Sequence, residues 1–321
     1  MKAVQITEYG GPEVMKYTEL PDPTPGNGEA LVEIQAVGVN FTDTYSRSGV
    51  NPTRLPWIVG VEGAGVVRKV GTGVTNVKEG DLVAYCSVPG TYAERAIAPA
   101  ARLIKMPPGL DAQTGAAAML QGMTAHYLCH STYRVQQGDR VLIHAGAGGV
   151  GLLLIQMVKR LGGYVFSTVS TEAKAKLVKG AGADHVIIYT RQDFAEEVKK
   201  ATDGKGVQVV YDAVGKTTFD KSISCLGRRG YMVLYGQASG PVPPMDPRVL
   251  ANGSLFLTRP GLGDYTATRE ELEQRAGDVL GWVKSGELKL RVEHVFPLSE
   301  AAEAHRQLES RATTGKVVLI P

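Results

Sequence analysis

The chain has 321 residues, 43% hydrophobic and 21% charged, with 35 Lys and Arg against 32 Asp and Glu. That length favours two domains, and the composition excludes a largely disordered chain. The near balance of charge, with no run of one sign, gives no electrostatic footprint for nucleic acid or an anionic membrane as main partner.

The opening MKAVQITEYGG has no apolar signal-peptide core, and no stretch approaches the roughly 18 consecutive apolar residues of a membrane span. A cytoplasmic location is therefore expected. Next come EALVEIQAV, EGAGVVRKV, DLVAYC and YAERAIA, short alternating or β-branched runs separated by PDPTPGNG, GTGV and VPGT. They predict a β-rich domain over the first part of the chain. Cys86, Cys129 and Cys225 are odd in number, far apart and without a C-x-x-C pair, so they read as buried thiols. His126 and His130 share one face if TAHYLCHSTY is helical, with Cys129 beside them. No Glu completes H-E-x-x-H and no third ligand is suggested, so the segment reads as a packed helix and no metal is expected.

From Arg140 to Gly236 short apolar runs (RVLIHA, YVFSTV, HVIIY, VQVVYDAV, YMVLYG) alternate with segments of helical period (LLLIQMVKRLGG, TEAKAKLVKGAG, QDFAEEVKKATDG, TTFDKSISCLG). Such alternation predicts repeated βα units, a parallel sheet covered on both faces and hence an α/β doubly wound domain. After it come GSLFLTRPG, a helix opened by Thr268 with Glu271 at capping-box spacing, a strand RVEHVF, a helix from Ser299 and a last strand KVVLI. This tail is too short for a third domain and is expected to return to the first one. The expected layout is 1–118 and 263–321 as a split β-rich domain, with 119–262 inserted as a Rossmann domain.

Gly146, Gly148 and Gly151 form G-x-G-x-x-G directly after a strand and directly before a helix, the context in which the pattern binds a dinucleotide. Bare backbone turns tightly and lets a pyrophosphate approach the free N–H groups of the helix start. The second strand ends in Ser170 and Thr171, where an NAD site places a carboxylate about 20 residues past the glycines. Glu172 is near, but it lies in a helical segment with Lys174, Lys176 and Lys179, a cluster suited to a 2′-phosphate. NADP rather than NAD is expected; the alternative is that these lysines form a solvated helix face.

MKAVQITEYGGPEVM, GVNFTDTYSRSG at 38–49, AGAGGVG, GRRGYMVLYG, LTRPGL and LESRATTGKVVLIP, in that order, resemble the zeta-crystallin-like NADPH:quinone oxidoreductases of the medium-chain dehydrogenase/reductase superfamily. The likeness runs the length of the chain. It implies a GroES-like β-rich catalytic domain from both chain ends, an inserted Rossmann domain, a cleft between them and a homodimer. Zinc alcohol dehydrogenases of the superfamily carry ligand Cys and His where this chain has Asn40 and Val61, and their cysteine-rich lobe is missing between Asp81 and Tyr92. A zinc-free member is implied, with NADPH as coenzyme and an electron-poor acceptor that needs no Lewis acid.

The resemblance further implies that the pyrophosphate meets the backbone of Ala147 to Val150, within the coenzyme-binding turn of Gly146, Ala147, Gly148, Gly149, Val150 and Gly151. It assigns Ser170, Lys174, Tyr189 and Arg311 to the 2′-phosphate end. To the remaining coenzyme contacts it assigns Phe41, Asp43, Thr124, Val214, Tyr235, Gly236, Gln237, Ala238, Pro260, Gly261 and Leu262, together with Asn40. Asn40 and Tyr45 are the candidates for hydrogen-bonding the developing quinol oxygen, with turn, capping or packing roles as their plainer readings. Relatives often have Tyr where this chain has Asn51, at the substrate mouth, so an aromatic platform for stacking a quinone is absent and the expected acceptor is a smaller quinone or an α,β-unsaturated carbonyl. The expected activity is reduction of quinones by hydride or single-electron transfer in the cleft, mostly through positioning. An alkenal or enone reductase is the alternative, and an RNA-binding or crystallin-like structural protein is the rival of another class.

Overall fold

The structure is a computed structural model describing residues 1–321. The chain forms two compact units, Met1–Met123 with Thr266–Pro321, and Thr124–Tyr265.

In the first unit, β1 (Lys2–Ile6) lies between β2 (Lys16–Glu19) and β4 (Trp57–Ile58) in a small antiparallel sheet. The larger sheet is built on β3 (Glu29–Val39), whose burial alternates as its polar and apolar residues do, so one face joins the core. After β3 the chain turns at Asn40 into the short helix α1 (Phe41–Arg47). β5 (Glu62–Val70), β6 (Leu82–Cys86) and β8 (Ile104–Lys105) follow on one side of β3, and β7 (Arg95–Pro99) pairs with it as well. Gly65 and Gly71 are bare because a Cβ at either would run into the backbone of the β3 segment or of Gly26. Helix α2 (Ala112–Tyr127) ends this stretch, and the division between units falls within it.

The second unit is one six-stranded parallel sheet. Its elements run β9 (Arg140–Ile143), α3 (Gly149–Arg160), β10 (Tyr164–Val169), α4 (Glu172–Gly180), β11 (His185–Ile188), α5 (Phe194–Ala201), β12 (Val207–Asp212), α6 (Phe219–Ser224), β13 (Leu226–Leu234) and β14 (Phe256–Thr258). The expected βα alternation is all present, and strand order is β11-β10-β9-β12-β13-β14. The near-continuous apolar runs are explained by burial on both faces, with Leu142, Phe166, Val210 and Met232 in the core. TAHYLCHSTY departs from an ordinary helix. α2 gives way at Leu128–Thr132 to a wider π-helical turn, which stacks the His126 and His130 rings with centroids 4.4 Å apart.

The tail rejoins the first unit as expected. α7 (Arg269–Ser285) opens on Thr268, whose hydroxyl accepts from Glu271 N–H at 3.2 Å, and closes on Gly286 at φ 78°. β15 (Val292–Pro297), α8 (Ala301–Glu309) and β16 (Lys316–Ile320) follow. β16 is antiparallel to β3, with Val317 opposite Val39, and Val317 and Leu319 share one core with Val4, Ile34, Val37 and Tyr92.

Candidate functional site

β9 is followed in the chain by β10 on one side and later flanked by β12 on the other, so connections leave it in opposite directions. This is the switch point of a doubly wound sheet, where a crevice opens at the carboxyl ends of the strands. The glycine turn sits there. Ala145 is left-handed at φ 53°, Gly146 N–H donates to Thr168 O at 3.1 Å, and Gly148 begins α3. A Cβ on Gly151 would lie 2.5 Å from Ala145 O and 2.7 Å from Gly146 O, and one on Gly146 would overlap Ser167 Oγ. The turn thus holds only if these positions stay bare. Gly149, Val150 and Gly151, in the first turn of α3, lie outside the helix's own hydrogen-bond ladder. A cradle of amide donors on a glycine-rich turn fits a pyrophosphate.

A buried polar chain braces this edge from below. The Asp212 carboxylate accepts from Val214 N–H at 2.7 Å, Gly215 N–H at 3.0 Å, Thr218 Oγ1 at 2.7 Å and Ser222 Oγ at 3.2 Å. Ser222 Oγ, having donated to Asp212, accepts from His144 Nε2, 2.9 Å away, and His144 Nδ1 then accepts from Thr168 Oγ1 at 2.9 Å. Burial lowers the His144 pKa, against the Asp212 charge, which keeps the ring neutral as this direction of donation requires. Loop 213–215 is bonded to the next one, through Ala238 N–H to Ala213 O and Ser239 N–H to Val214 O. Arg259 fixes that stretch from the other side, donating to Leu234 O at 3.0 Å, Gly236 O at 3.4 Å and Gln237 Oε1 at 3.2 Å. The structure therefore gathers Val214, Tyr235, Gly236, Gln237 and Ala238 into one bonded loop pair, with Pro260, Gly261 and Leu262 directly after Arg259. Thr124 is buried on α2.

At the end of β10, Thr171 caps α4 by accepting from Lys174 N–H at 3.2 Å. Tyr189 N–H donates to Val169 O and Thr190 Oγ1 to Ser170 O, both at 3.0 Å, so the half-buried Ser170 and Lys174 and the exposed Tyr189 lie at one edge of the sheet. Arg311 is exposed after α8 in the first unit, with φ 61°.

In the first unit Asn40 is the centre of a buried polar group. Its Nδ2 donates to Glu62 Oε2 at 2.7 Å and Gly38 O at 3.1 Å. Its Oδ1 accepts from Lys316 Nζ at 2.8 Å and Gln121 Nε2 at 3.4 Å. Lys316 Nζ lies 2.5 Å from Glu62 Oε2, and Glu62 Oε1 accepts from Leu120 N–H at 2.6 Å. Both amide protons of Asn40 are thus engaged inside the fold, so a hydrogen bond from it to a quinol oxygen would break one of them. The geometry supports a positioning role for Asn40 instead.

Asp43, three residues on, accepts from Asn40 N–H at 2.9 Å and from Tyr92 OH at 3.1 Å through Oδ2, while Oδ1 is buried without a partner. Tyr92 OH also lies 2.9 Å from His305 Nε2, and Arg47 NH1 lies 3.0 Å from His305 Nδ1. Arg47 donates twice to Glu309, at 3.0 and 2.7 Å. Burial pushes Asp43 up to about 7, against the Asn40 N–H, the Lys316 charge and the Tyr92 hydroxyl. Burial, then the Arg47 charge, lowers His305 to about 3. Of the α1 residues, Phe41 and Tyr45 are half-buried, with ring centroids 6.3 Å apart, and Asn51 is exposed and bonded through its N–H to Tyr45 O.

Nowhere do three His, Cys, Asp or Glu side chains come together so as to hold a metal, and Glu62 is already held by Lys316, Asn40 and Leu120. Cys129 is buried, with its thiol donating to Ala125 O at 3.2 Å and its pKa pushed well up. Sequence reasoning did not single out Glu62, Tyr92, Gln121, Asp212, Arg259, His305 or Lys316. The one available signal was charge inside apolar strands, as with Lys316 opening KVVLI and Asp212 closing VQVVYD.

Two units, one a doubly wound sheet with a bare glycine turn at its switch point and one a β-rich body completed by the chain's own tail, define a dinucleotide-dependent dehydrogenase or reductase. Comparisons agree. Residues 26–108 match the alcohol dehydrogenase GroES-like domain family and residues 181–319 the zinc-binding dehydrogenase family. The chain is 43% identical to a quinone oxidoreductase of Pseudomonas aeruginosa, covering 100% of this chain and 99% of that one. It is 44% identical to a 2-haloacrylate reductase of Burkholderia, covering 99% and 98%. The crystal structure of Escherichia coli quinone oxidoreductase complexed with NADPH superposes with a TM-score of 0.98, at 41% identity and full coverage of both chains. The chain belongs to the quinone oxidoreductase family of the medium-chain dehydrogenase/reductases. The zinc in the name of one matching family finds no donor set here, for the reasons given above.

Proposed function

We propose that this protein binds NADPH and uses it to reduce quinones. The observation that carries the reading is the glycine turn at the switch point, whose bare backbone a Cβ at Gly146 or Gly151 would destroy. The pyrophosphate would lie against the backbone of Ala147 to Val150, and the 2′-phosphate would meet Lys174 and Tyr189 beside Ser170. Loops 213–215 and 235–238, held by Asp212 and Arg259, would carry the nicotinamide half. Arg311 is assigned to phosphate binding by the resemblance, and Arg311→Ala tests it separately.

The bound coenzyme supplies the electrons, as hydride or singly. The protein's own part is to bind, orient and keep water out, which is enough for an acceptor that is already electron-poor. Asn40 has no proton to give, so it positions α1, where Phe41 and Tyr45 are the candidate acceptor contacts. The Tyr45 hydroxyl or solvent then meets the reduced oxygen. Reduction of an activated alkene is the second reading, favoured by the Burkholderia relative that is a 2-haloacrylate reductase.

NADPH oxidation followed optically with a quinone series and an alkenal and haloacrylate panel decides between them. Quinone turnover exceeding the others is expected; oxidation with the alkenes alone would replace the first reading by the second. A homodimer is proposed on the edge strand β14, where Phe256 is 48% exposed on the last strand of the sheet. Sedimentation of wild type and Leu257→Lys tests it, a wild-type monomer being the contrary result.

A further inference from the structure

β10 and β11 are parallel with Val169 opposite Ile188, so the chain leaves both strands side by side. Besides the two bonds already described, Arg191 N–H donates to Ile188 O at 2.9 Å and Ile188 N–H to Gln192 Oε1 at 3.0 Å. These bonds fix the 189–192 turn beside the first turn of α4. From there Arg191 NH1 donates to Glu172 Oε1 at 2.8 Å. Glu172 is the sole carboxylate between Tyr164 and Ala183. It stands at the first residue of α4, next to the strand end at Ser170 and Thr171 where an NAD site places a carboxylate on the ribose hydroxyls, and an unpaired carboxylate there would repel a 2′-phosphate.

We propose that Arg191 is a coenzyme-specificity residue: it occupies and neutralises Glu172, and so admits a ribose 2′-phosphate at a place that would otherwise favour the free hydroxyl. This rests on the NADPH reading above and goes beyond it by naming what selects the phosphate. Both side chains are more than half exposed, at 66% and 62%. As a fold-stabilising contact such a pair contributes little, so the chain tolerates its removal and the effect falls on ligand choice. An unmasked carboxylate beside a doubly charged phosphate would weaken binding about tenfold at low salt, less at physiological ionic strength.

The test is titration calorimetry of adenosine 2′,5′-bisphosphate against 5′-AMP, and of NADPH against NADH. The proteins are wild type, Arg191→Ala, Glu172→Gln and the double variant. Arg191→Ala is expected to lower the preference for the 2′-phosphate about tenfold at low salt, and Glu172→Gln in that background to restore most of it. A merely structural role would weaken both members of each pair alike and leave the ratio unmoved. An Arg191→Ala ratio within about twofold of wild type, or a double variant no better than Arg191→Ala, overturns the proposal alone. A wild type with no preference for the bisphosphate overturns the NADPH reading, and this inference with it.

Discussion

Lys316→Met removes the ammonium that lies 2.5 Å from Glu62 Oε2 and 2.8 Å from Asn40 Oδ1. Lys316 is 2% and Glu62 0% exposed, so water does not take the lost partner's place. Glu62 keeps only Asn40 Nδ2 and Leu120 N–H, and a buried pair broken at one end costs about 3–5 kcal/mol. For a unit of about 180 residues the unfolding entropy is about 0.4 kcal/mol/K, so the melting temperature should fall by about 10 °C. Glu62→Gln added to Lys316→Met removes the stranded charge, and the double variant should lose about 2 kcal/mol less than the two single losses combined. Scanning calorimetry and urea unfolding measure both quantities. A Lys316→Met protein melting within about 2 °C of wild type, or strict additivity in the double variant, would refute the claim that this pair is what holds Asn40 and the start of α1.

Gly151→Ala brings a methyl within 2.5 Å of a backbone oxygen that belongs to the turn itself, and calorimetry should show NADPH affinity falling by more than about tenfold. Arg259→Ala releases Leu234 O, Gly236 O and Gln237 together; kcat/KM with NADPH should fall about tenfold while adenosine 2′,5′-bisphosphate binds as before, and equal loss of both would count against the assignment. His305 is held neutral with its pKa lowered to about 3, so the unfolded chain takes up its proton first as pH falls through the ordinary histidine range. The stability this gives is complete above about pH 6.5 and lost toward pH 3, at about 1.4 kcal/mol per pH unit. Urea unfolding of wild type and His305→Gln should therefore converge, or cross, between pH 6.5 and 4, and a constant difference would show that His305 is not neutral in the fold.

The second unit was legible because its strands are buried on both faces and its helices on one, which writes two different periods into the sequence. The glycine turn was legible because backbone approach admits no substitute for glycine. The first unit was less so. FTDTYSR makes a helix of seven residues, too short to show a period, and the bonds that hold its start come from Glu62, Gln121 and Lys316, as much as 276 positions away. Arg259 reads in sequence as one more surface cation after a strand. Only the fold shows that its guanidinium faces carbonyls of the preceding strand's end.

The buried charges of the first unit also show why Asp43 is the unusual group there. Lys316 answers Glu62 and Arg47 answers Glu309, each at hydrogen-bond distance. His305, set between Arg47 and Tyr92, stays neutral because burial disfavours the imidazolium and the Arg47 charge then adds its repulsion. Asp43 is then the one carboxyl with no cation in contact: it has an amide and a phenol on Oδ2, nothing on Oδ1, and Glu62 as a nearby like charge. Two hydrogen bonds and the more distant Lys316 charge do not offset complete burial, and its pKa accordingly rises to about 7. Asp43→Asn should thus gain stability relative to wild type as pH rises from the ordinary carboxylate range to about 7, where the wild-type carboxyl must ionise in the fold, and hold that gain above pH 7; urea unfolding of both proteins across this range, with a difference that does not change with pH, would count against the assignment.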